Sequence, residues 1–388
     1  MKILSLSSVP LLPYLGSGKT RLMWTKGLSE AGHEVKVLQP VEYTFWPSQN
    51  KALKLRMAIG VFLSARKLIK MEHFDMVEFY GDQYWLLLLW SKIFHLKNRP
   101  LFVAHVDGIE LHDMDKEQQY WMKRKGLKKW IYKNTHYRTS KLTFKLADRY
   151  VCGCKDDLTY VLQKKIFKPE HAFCIPPGID DSYHTIPFQE KKSPFIIFLG
   201  SWIERKGIRV VSTVMSEILK ENKEYEFHIY GSWSLKETIL LAFPENLRKQ
   251  VIVYDKLPLQ DLTEGMLQSA ILFFPSYSEG FGLATVEAMS CSCAVITTRT
   301  GVGSELSNGN NAMLCDFNDK AGMKDAIRAL INDEFLRKKI AYNGYLKAKS
   351  FRWSNQVELL SKVYSNWLNK PMPKSQLPLS LRYQTLNA

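Results

Sequence analysis

Two successive series of short apolar runs, each alternating with stretches of helical spacing, constrain this chain more than any single residue does. The first series falls at 2–6, 34–38, 76–79, 101–105 and 150–152, and the second at 195–199, 226–230, 251–254, 271–274, 294–297 and 313–314. Strands separated by helices cannot pair as hairpins, so they form parallel sheets covered on both faces. Between the series, residues 175–194 gather turn formers and charge, including Pro176, Pro177, Gly178, Pro187 and Pro194, as a connection between domains does. The expected fold class is α/β, with two Rossmann-like doubly wound domains at 1–180 and 181–350. Beyond them, Val357, Leu360, Val363, Tyr364 and Trp367 recur at helical spacing, giving a final helix over 351–369. The tail, 370–388, with Pro371, Pro373 and Pro378, reads as weakly ordered.

A chain of 388 residues, 46% hydrophobic and 24% charged, can bury two cores. Its six cysteines form no C-x-x-C pair and no Cys/His quartet at zinc spacing, which argues for reduced thiols in a cytosol. The start, Met1-Lys-Ile-Leu-Ser-Leu, imitates a secretory signal. Pro10 and Pro13 interrupt its apolar run, and it reads better as the first strand of a strand–helix–strand unit. No segment supplies the ~20 apolar residues needed to span a bilayer.

The formal net charge is +16. Residues 114–149 carry 11 Lys/Arg against 3 Asp/Glu, interleaved with Tyr120, Trp121, Trp130, Tyr132, Tyr137 and Phe144, and residues 51–70 add six cations and no acid. One reading is ordinary helices with solvated lysines. The other is peripheral docking on an anionic membrane surface, which rewards both the cations and the aromatics. No helix-turn-helix, finger or RNA-binding signature accompanies the charge, so nucleic acid is not an expected partner.

The stretch most suited to chemistry is Pro275-Ser-Tyr-Ser-Glu279-Gly-Phe281-Gly282-Leu283-Ala-Thr-Val-Glu287. An apolar strand leads into a glycine turn, and a helix opens near Gly282 or Leu283. Unpaired N–H groups at that helix start suit a diphosphate, and Glu279 and Glu287, eight positions apart, suit the hydroxyls flanking it.

These residues resemble the E-x7-E motif, with its Glu-Gly-Phe-Gly core, of retaining GT-B glycosyltransferases, especially glycosyltransferase family 4. The resemblance spans about 1–369 and is dense in the second half. Phe198-Leu-Gly200-Ser201-Trp-Ile-Glu-Arg205-Lys206-Gly207 resembles the family's Gly-Arg-Leu-x-x-x-Lys-Gly pattern, with Lys206 as the donor-phosphate lysine. Ser201 replaces the usual arginine, for which Arg205 is the candidate substitute. Gly16-Ser-Gly18 resembles the family's glycine loop; a P-loop is excluded because Pro13 stands where that motif needs glycine. In Leu101-Phe-Val-Ala-His105-Val-Asp107-Gly108-Ile-Glu110, Asp107 takes the place of the family's histidine and His105 lies two residues earlier, so both are candidates for contacting the transferred sugar. Pro177 stands where an asparagine is usual. Asp113-Met-Asp115 nominally offers a D-x-D metal motif, but it does not end an apolar strand.

The resemblance implies a GT-B fold whose two domains face one another, with the 351–369 helix crossing back to the first, acceptor-side domain. It implies a retaining, metal-independent glycosyltransferase with no cofactor, using a nucleotide-sugar donor and a glycan or lipid-linked acceptor in cell-surface polysaccharide or glycolipid synthesis. Catalytic roles fall to Glu279, Asp107 and His105. Donor binding falls to Gly16, Gly18, Arg205, Lys206, Phe281, Gly282, Leu283 and Glu287. The expected location is cytoplasmic, docked peripherally on the inner face of the membrane. An inverting GT-B enzyme, a nucleotide-sugar hydrolase or epimerase, and a non-catalytic basic scaffold for membrane or nucleic acid remain open alternatives.

Overall fold

The computed structural model describes residues 1–13, 16–45, 52–94, 98–122, 124–254 and 257–369; the tail expected to be weakly ordered lies outside the described residues. The chain forms two compact units, one of Met1–Gln118, Lys123–Pro177 and Trp353 onward, the other of Gln119–Met122 and Gly178–Arg352. The final helix, Trp353–Asn369, thus belongs with the first unit.

In the first unit, strands β1 (Lys2–Leu6), β2 (Glu34–Leu38), β3 (Met76–Phe79), β4 (Leu101–Val106), β5 (Arg149–Cys152) and β6 (Ala172–Cys174) make one parallel sheet in the order β2-β1-β3-β4-β5-β6. β6 is absent from the sequence reading because three residues running into Ile175-Pro-Pro carry almost no periodicity. Strand alternation sorts the apolar side chains onto two faces. Leu4, Leu6, Val77 and Phe79 join one core, while Ile3, Met76, Val103 and Val151 join another with Trp24, Trp353, Leu360 and Tyr364. The helices Gly16–Glu30 and Trp353–Asn369 meet closely where Gly27 has no side chain: a Cβ there would lie 2.4 Å from Val357 Cγ2.

The second unit repeats the plan with β7 (Ser193–Leu199), β8 (Glu226–Tyr230), β9 (Val251–Val253), β10 (Ser269–Phe274), β11 (Ala294–Thr298) and β12 (Met313–Cys315). Its order is β12-β11-β10-β7-β8-β9, all parallel. Counted from β7, this is the dinucleotide-fold order 3-2-1-4-5-6, whose direction of winding reverses between β7 and β10. The first sheet reverses between β1 and β3. Loops leaving the carboxyl ends of strands at such a reversal diverge and leave a crevice, which is where ligands of open α/β sheets bind.

Candidate functional site

At the second unit's reversal, the loops after β7, β10 and β11 are woven together by close backbone passages. Gly207, at φ +75°, passes so near Pro275 that a Cβ would lie 2.4 Å from its carbonyl oxygen, and Tyr277 N donates to Arg205 O at 2.9 Å. Gly301, at φ +56°, fits where a Cβ would meet Phe281 O at 2.4 Å and Glu279 Cβ at 2.7 Å. Only glycine supplies both the backbone conformation and the space at these two positions. We expect Gly301→Ala to cost about 1–3 kcal/mol of stability; an unchanged urea midpoint would contradict this packing.

Within that weave sits Glu279, nearly buried. Lys206 Nζ donates to its Oε1 at 2.6 Å, Ser276 Oγ donates to the same oxygen at 2.5 Å, and Arg205 Nη1 lies 3.9 Å from Oε2. Arg205 is fixed by donating to Ser278 O at 2.7 Å, and Glu279 N donates to Thr300 Oγ1 at 3.1 Å. Burial pushes the Glu279 carboxyl up. The Lys206 and Arg205 charges and the bonds from Lys206 and Ser276 outweigh that, holding it below its ordinary 4.5. Lys206 Nζ also lies 4.6 Å from the Phe274 ring centroid and is the near neighbour of Gly200, which takes φ +135°. The lysine is thus presented at the end of β7 beside the end of β10, its charge anchored from below.

Gly282, at φ +92°, is the left-handed residue that opens the helix Leu283–Ser290, so the N–H groups of the first turn lie next to this cluster. Glu287 follows at the second turn of the same helix and is half-buried. Phe281, read from the sequence as a donor contact, turns its side chain into the core instead, edge-on to Phe351 at 5.2 Å. Ser276, Thr298, Thr300 and Gly301, which the sequence reading did not single out, hold the turn; Thr298 Oγ1 donates to Ser276 O at 2.5 Å. The signal available for the last three was the polar run that follows an apolar strand, Thr297-Thr298-Arg299-Thr300-Gly301, and for Ser276 its place just after the strand Ser269–Phe274.

In the first unit the reversal gathers Ser7 and Ser8 after β1, Gly81 and Asp82 after β3, and Asp107 and Glu110 after β4. Asp107 is held by Arg21, whose Nε donates to Oδ2 at 3.1 Å while Nη1 donates to Ser7 and Ser8 hydroxyls at 3.2 and 3.1 Å. Burial raises the Asp107 carboxyl against the pull of Arg21. Glu110, opening the helix Glu110–Lys116, has its Oε2 buried with no hydrogen-bond partner, and burial with the nearby Asp82 pushes its carboxyl well up. Asp82 itself pairs with Lys54 at 3.1 Å. Arg21 was missed because an arginine inside a helix after a glycine turn reads as surface charge.

Two expectations change here. His105 lies within β4 at 2% exposure, its Nδ1 3.0 Å from Tyr80 Oη and 3.2 Å from Tyr364 Oη, with Glu78 at 3.6 Å. Neighbours on every side remove it from direct contact with a ligand; it packs the sheet against the final helix. Gly16 and Gly18 are not a loop but the first turn of the helix Gly16–Glu30, and a Cβ on Gly18 would lie 2.5 Å from Pro10 O. The missing Gly18 side chain makes room for the chain's own 10–12 backbone. Asp115 of the nominal metal motif accepts from Tyr160 Oη at 2.9 Å and pairs with Lys164 at 3.5 Å.

Residues 181–347 match the family model of glycosyl transferases group 1, so the second unit carries a domain of that kind. An uncharacterized glycosyltransferase of Methanocaldococcus jannaschii is 31% identical over 180 residues, covering 46% of this chain and 50% of that protein. The chain spans about half the length of the curated relatives it matches. Among solved structures, sucrose-phosphate synthase from Thermosynechococcus elongatus superposes with a TM-score of 0.74 at 14% identity, over 95% of this chain and 99% of that one. HepE of Anabaena, in complex with UDP, superposes with a TM-score of 0.66 at 16% identity, over 94% and 100%. The fold is that of the GT-B glycosyltransferases, two Rossmann-like α/β domains.

Proposed function

We propose that the protein is a retaining glycosyltransferase that moves a sugar from a nucleoside diphosphate, UDP above all, to an acceptor hydroxyl in the synthesis of a glycan. The observation that carries this reading is the Lys206–Glu279 pair at the reversal between β7 and β10, beside the glycine-opened N-terminus of Leu283–Ser290. Further support comes from the glycosyl transferases group 1 domain and from the UDP complex of the Anabaena neighbour.

The difficult step in such a transfer is charge separation: positive charge grows on the sugar ring and negative charge on the departing diphosphate. Fixed cations and helix N–H groups that need no reorientation lower that barrier most. Lys206 and Arg205 would meet the diphosphate together with the Gly282 and Leu283 N–H groups, which supplies the countercharge without calling on a divalent ion. Glu279, kept ionised by Lys206, would orient the transferred sugar, and Glu287 would accept from the ribose hydroxyls. Both hydrogen bonds to Glu279 fall on Oε1 and fix the carboxylate as an orienting acceptor. We assign front-face substitution, in which the departing phosphate takes the acceptor proton. Asp107, held by Arg21, is the assigned acceptor-side carboxylate, and a glycan or lipid-linked alcohol the assigned acceptor.

The test is a melting-temperature screen against UDP, GDP and ADP followed by assay of the corresponding sugars with and without EDTA. UDP should raise the melting temperature, and Glu287→Ala should weaken its binding about tenfold, the cost of about one charge-assisted hydrogen bond. No shift with any nucleotide would remove the enzymatic reading. An inverted anomer by NMR, or loss of turnover in EDTA, would remove the retaining or metal-independent part of it.

A further inference from the structure

Two helices of the first unit present apolar stripes that nothing within the unit covers. Gly126–Tyr132 leaves Leu127 71% and Trp130 64% exposed, with Ile131 beside them; positions 127, 130 and 131 fall on one side of a helix. Leu53–Met71 leaves Leu55, Ile59 and Leu63 exposed at four-residue intervals, again one side. The start of Leu53–Met71 is tied to the far end of the other basic stretch: Lys54 pairs with Asp82 at 3.1 Å, and the Asp82 carbonyl accepts from Thr143 Oγ1 at 2.6 Å in the helix Arg138–Leu146. Lone exposed leucines need no explanation, but six large apolar side chains in two one-sided stripes do.

Charge decides the occupant. Residues 118–147 contain nine Lys/Arg and no Asp/Glu, and residues 51–71 contain six Lys/Arg and none. Lys125, Lys128, Lys129 and Lys133 flank the Trp130 stripe and are exposed. A second copy of this chain would bring like charge against like. A nucleic acid would satisfy the lysines but gain nothing from burying Leu127, Ile131 or Ile59. An anionic bilayer surface rewards both, with the cations at the headgroups and the tryptophan and leucines at the acyl boundary. No helix among the described residues is long and apolar enough to cross a membrane.

We propose that the Leu127/Trp130/Ile131 face and the Leu55/Ile59/Leu63 face are in-plane docking surfaces for anionic lipid. This proposal does not rest on the sugar-transfer reading. The experiment is co-sedimentation of the full chain with phosphatidylcholine vesicles prepared with and without phosphatidylglycerol. The chain should partition onto the anionic vesicles and not the neutral ones, and less so as salt rises. Lys128→Ala and Lys129→Ala should each weaken partitioning about fivefold, the Boltzmann equivalent of the roughly 1 kcal/mol a surface cation gains near anionic lipid. Trp130→Ala should weaken it at high salt as well as low, with no change in melting temperature because the side chain is exposed. The UDP-induced melting shift should survive in all three variants, so donor binding and docking fail separately. Equal partition onto neutral vesicles, no partition onto anionic ones, a lowered melting temperature in Trp130→Ala, or self-association that Trp130→Ala abolishes would each overturn the proposal.

Discussion

Lys206→Ala should lower the rate of sugar transfer about 100-fold to 1,000-fold, the usual cost of one fixed group that stabilises developing charge. It should also destabilise the second unit by about 3 kcal/mol, because it removes the nearest countercharge of a buried carboxylate. The two effects can be parted. In Lys206→Ala/Glu279→Gln no buried charge is stranded, so the urea midpoint should recover most of the loss while the rate stays low. The pH dependence supplies a further check. The Glu279 pKa is depressed in the folded protein, so its stabilising contribution is present above about pH 4.5 and fades as pH falls through the folded value. With Lys206 gone, burial is less opposed and the folded pKa rises, so the variant should regain ground on the wild type as pH falls. A variant that tracks the wild type at every pH would mean that Lys206 does not set the charge of Glu279.

The second large effect is on the stability of the first unit. Glu78 is the one acid in the buried strand Met76–Phe79 and is fully enclosed. Its Oε1 accepts from Ser5 Oγ at 2.7 Å, and its Oε2 accepts from Tyr364 Oη at 2.8 Å and lies 3.6 Å from His105 Nδ1. Burial pushes its pKa up, but the nearby His105 ring and the hydrogen bonds from Ser5 and Tyr364 hold it below the usual value. Glu78→Ala should cost about 3–5 kcal/mol by leaving this set of polar groups without its common partner. Glu78→Gln, which keeps acceptor capacity, should cost less. Urea unfolding checks both, and a loss under about 1 kcal/mol for the alanine variant would show that water replaces the carboxylate.

The sheets were legible because buried parallel strands are written as unbroken apolar runs, and the turn at Glu279 because glycines and a helix start follow one such run. What the sequence hides is which strand ends become neighbours. Lys206 and Glu279 are 73 residues apart, and only the return of β10 to the far side of β7 brings them into contact. The same blindness made His105 look like a ligand contact: its partners Glu78 and Tyr364 come from a different strand and from the chain's last described helix. A signal was nevertheless present, since an acid inside Met-Val-Glu-Phe has to meet a donor somewhere in the interior. Gly18 misled for a related reason, because a glycine reports a close approach without saying by what.

The helix Trp353–Asn369 completes the first unit only after the whole of the second has been synthesised. At ~5–20 residues per second on a ribosome, the 178–352 stretch takes roughly 10–35 seconds to emerge. Throughout that interval the nascent first half exposes the groove that Val357, Leu360 and Tyr364 will fill, and the Glu78 carboxylate lacks its Tyr364 donor. The window for misassembly, or for chaperone capture, is therefore fixed by the order in which the chain is translated.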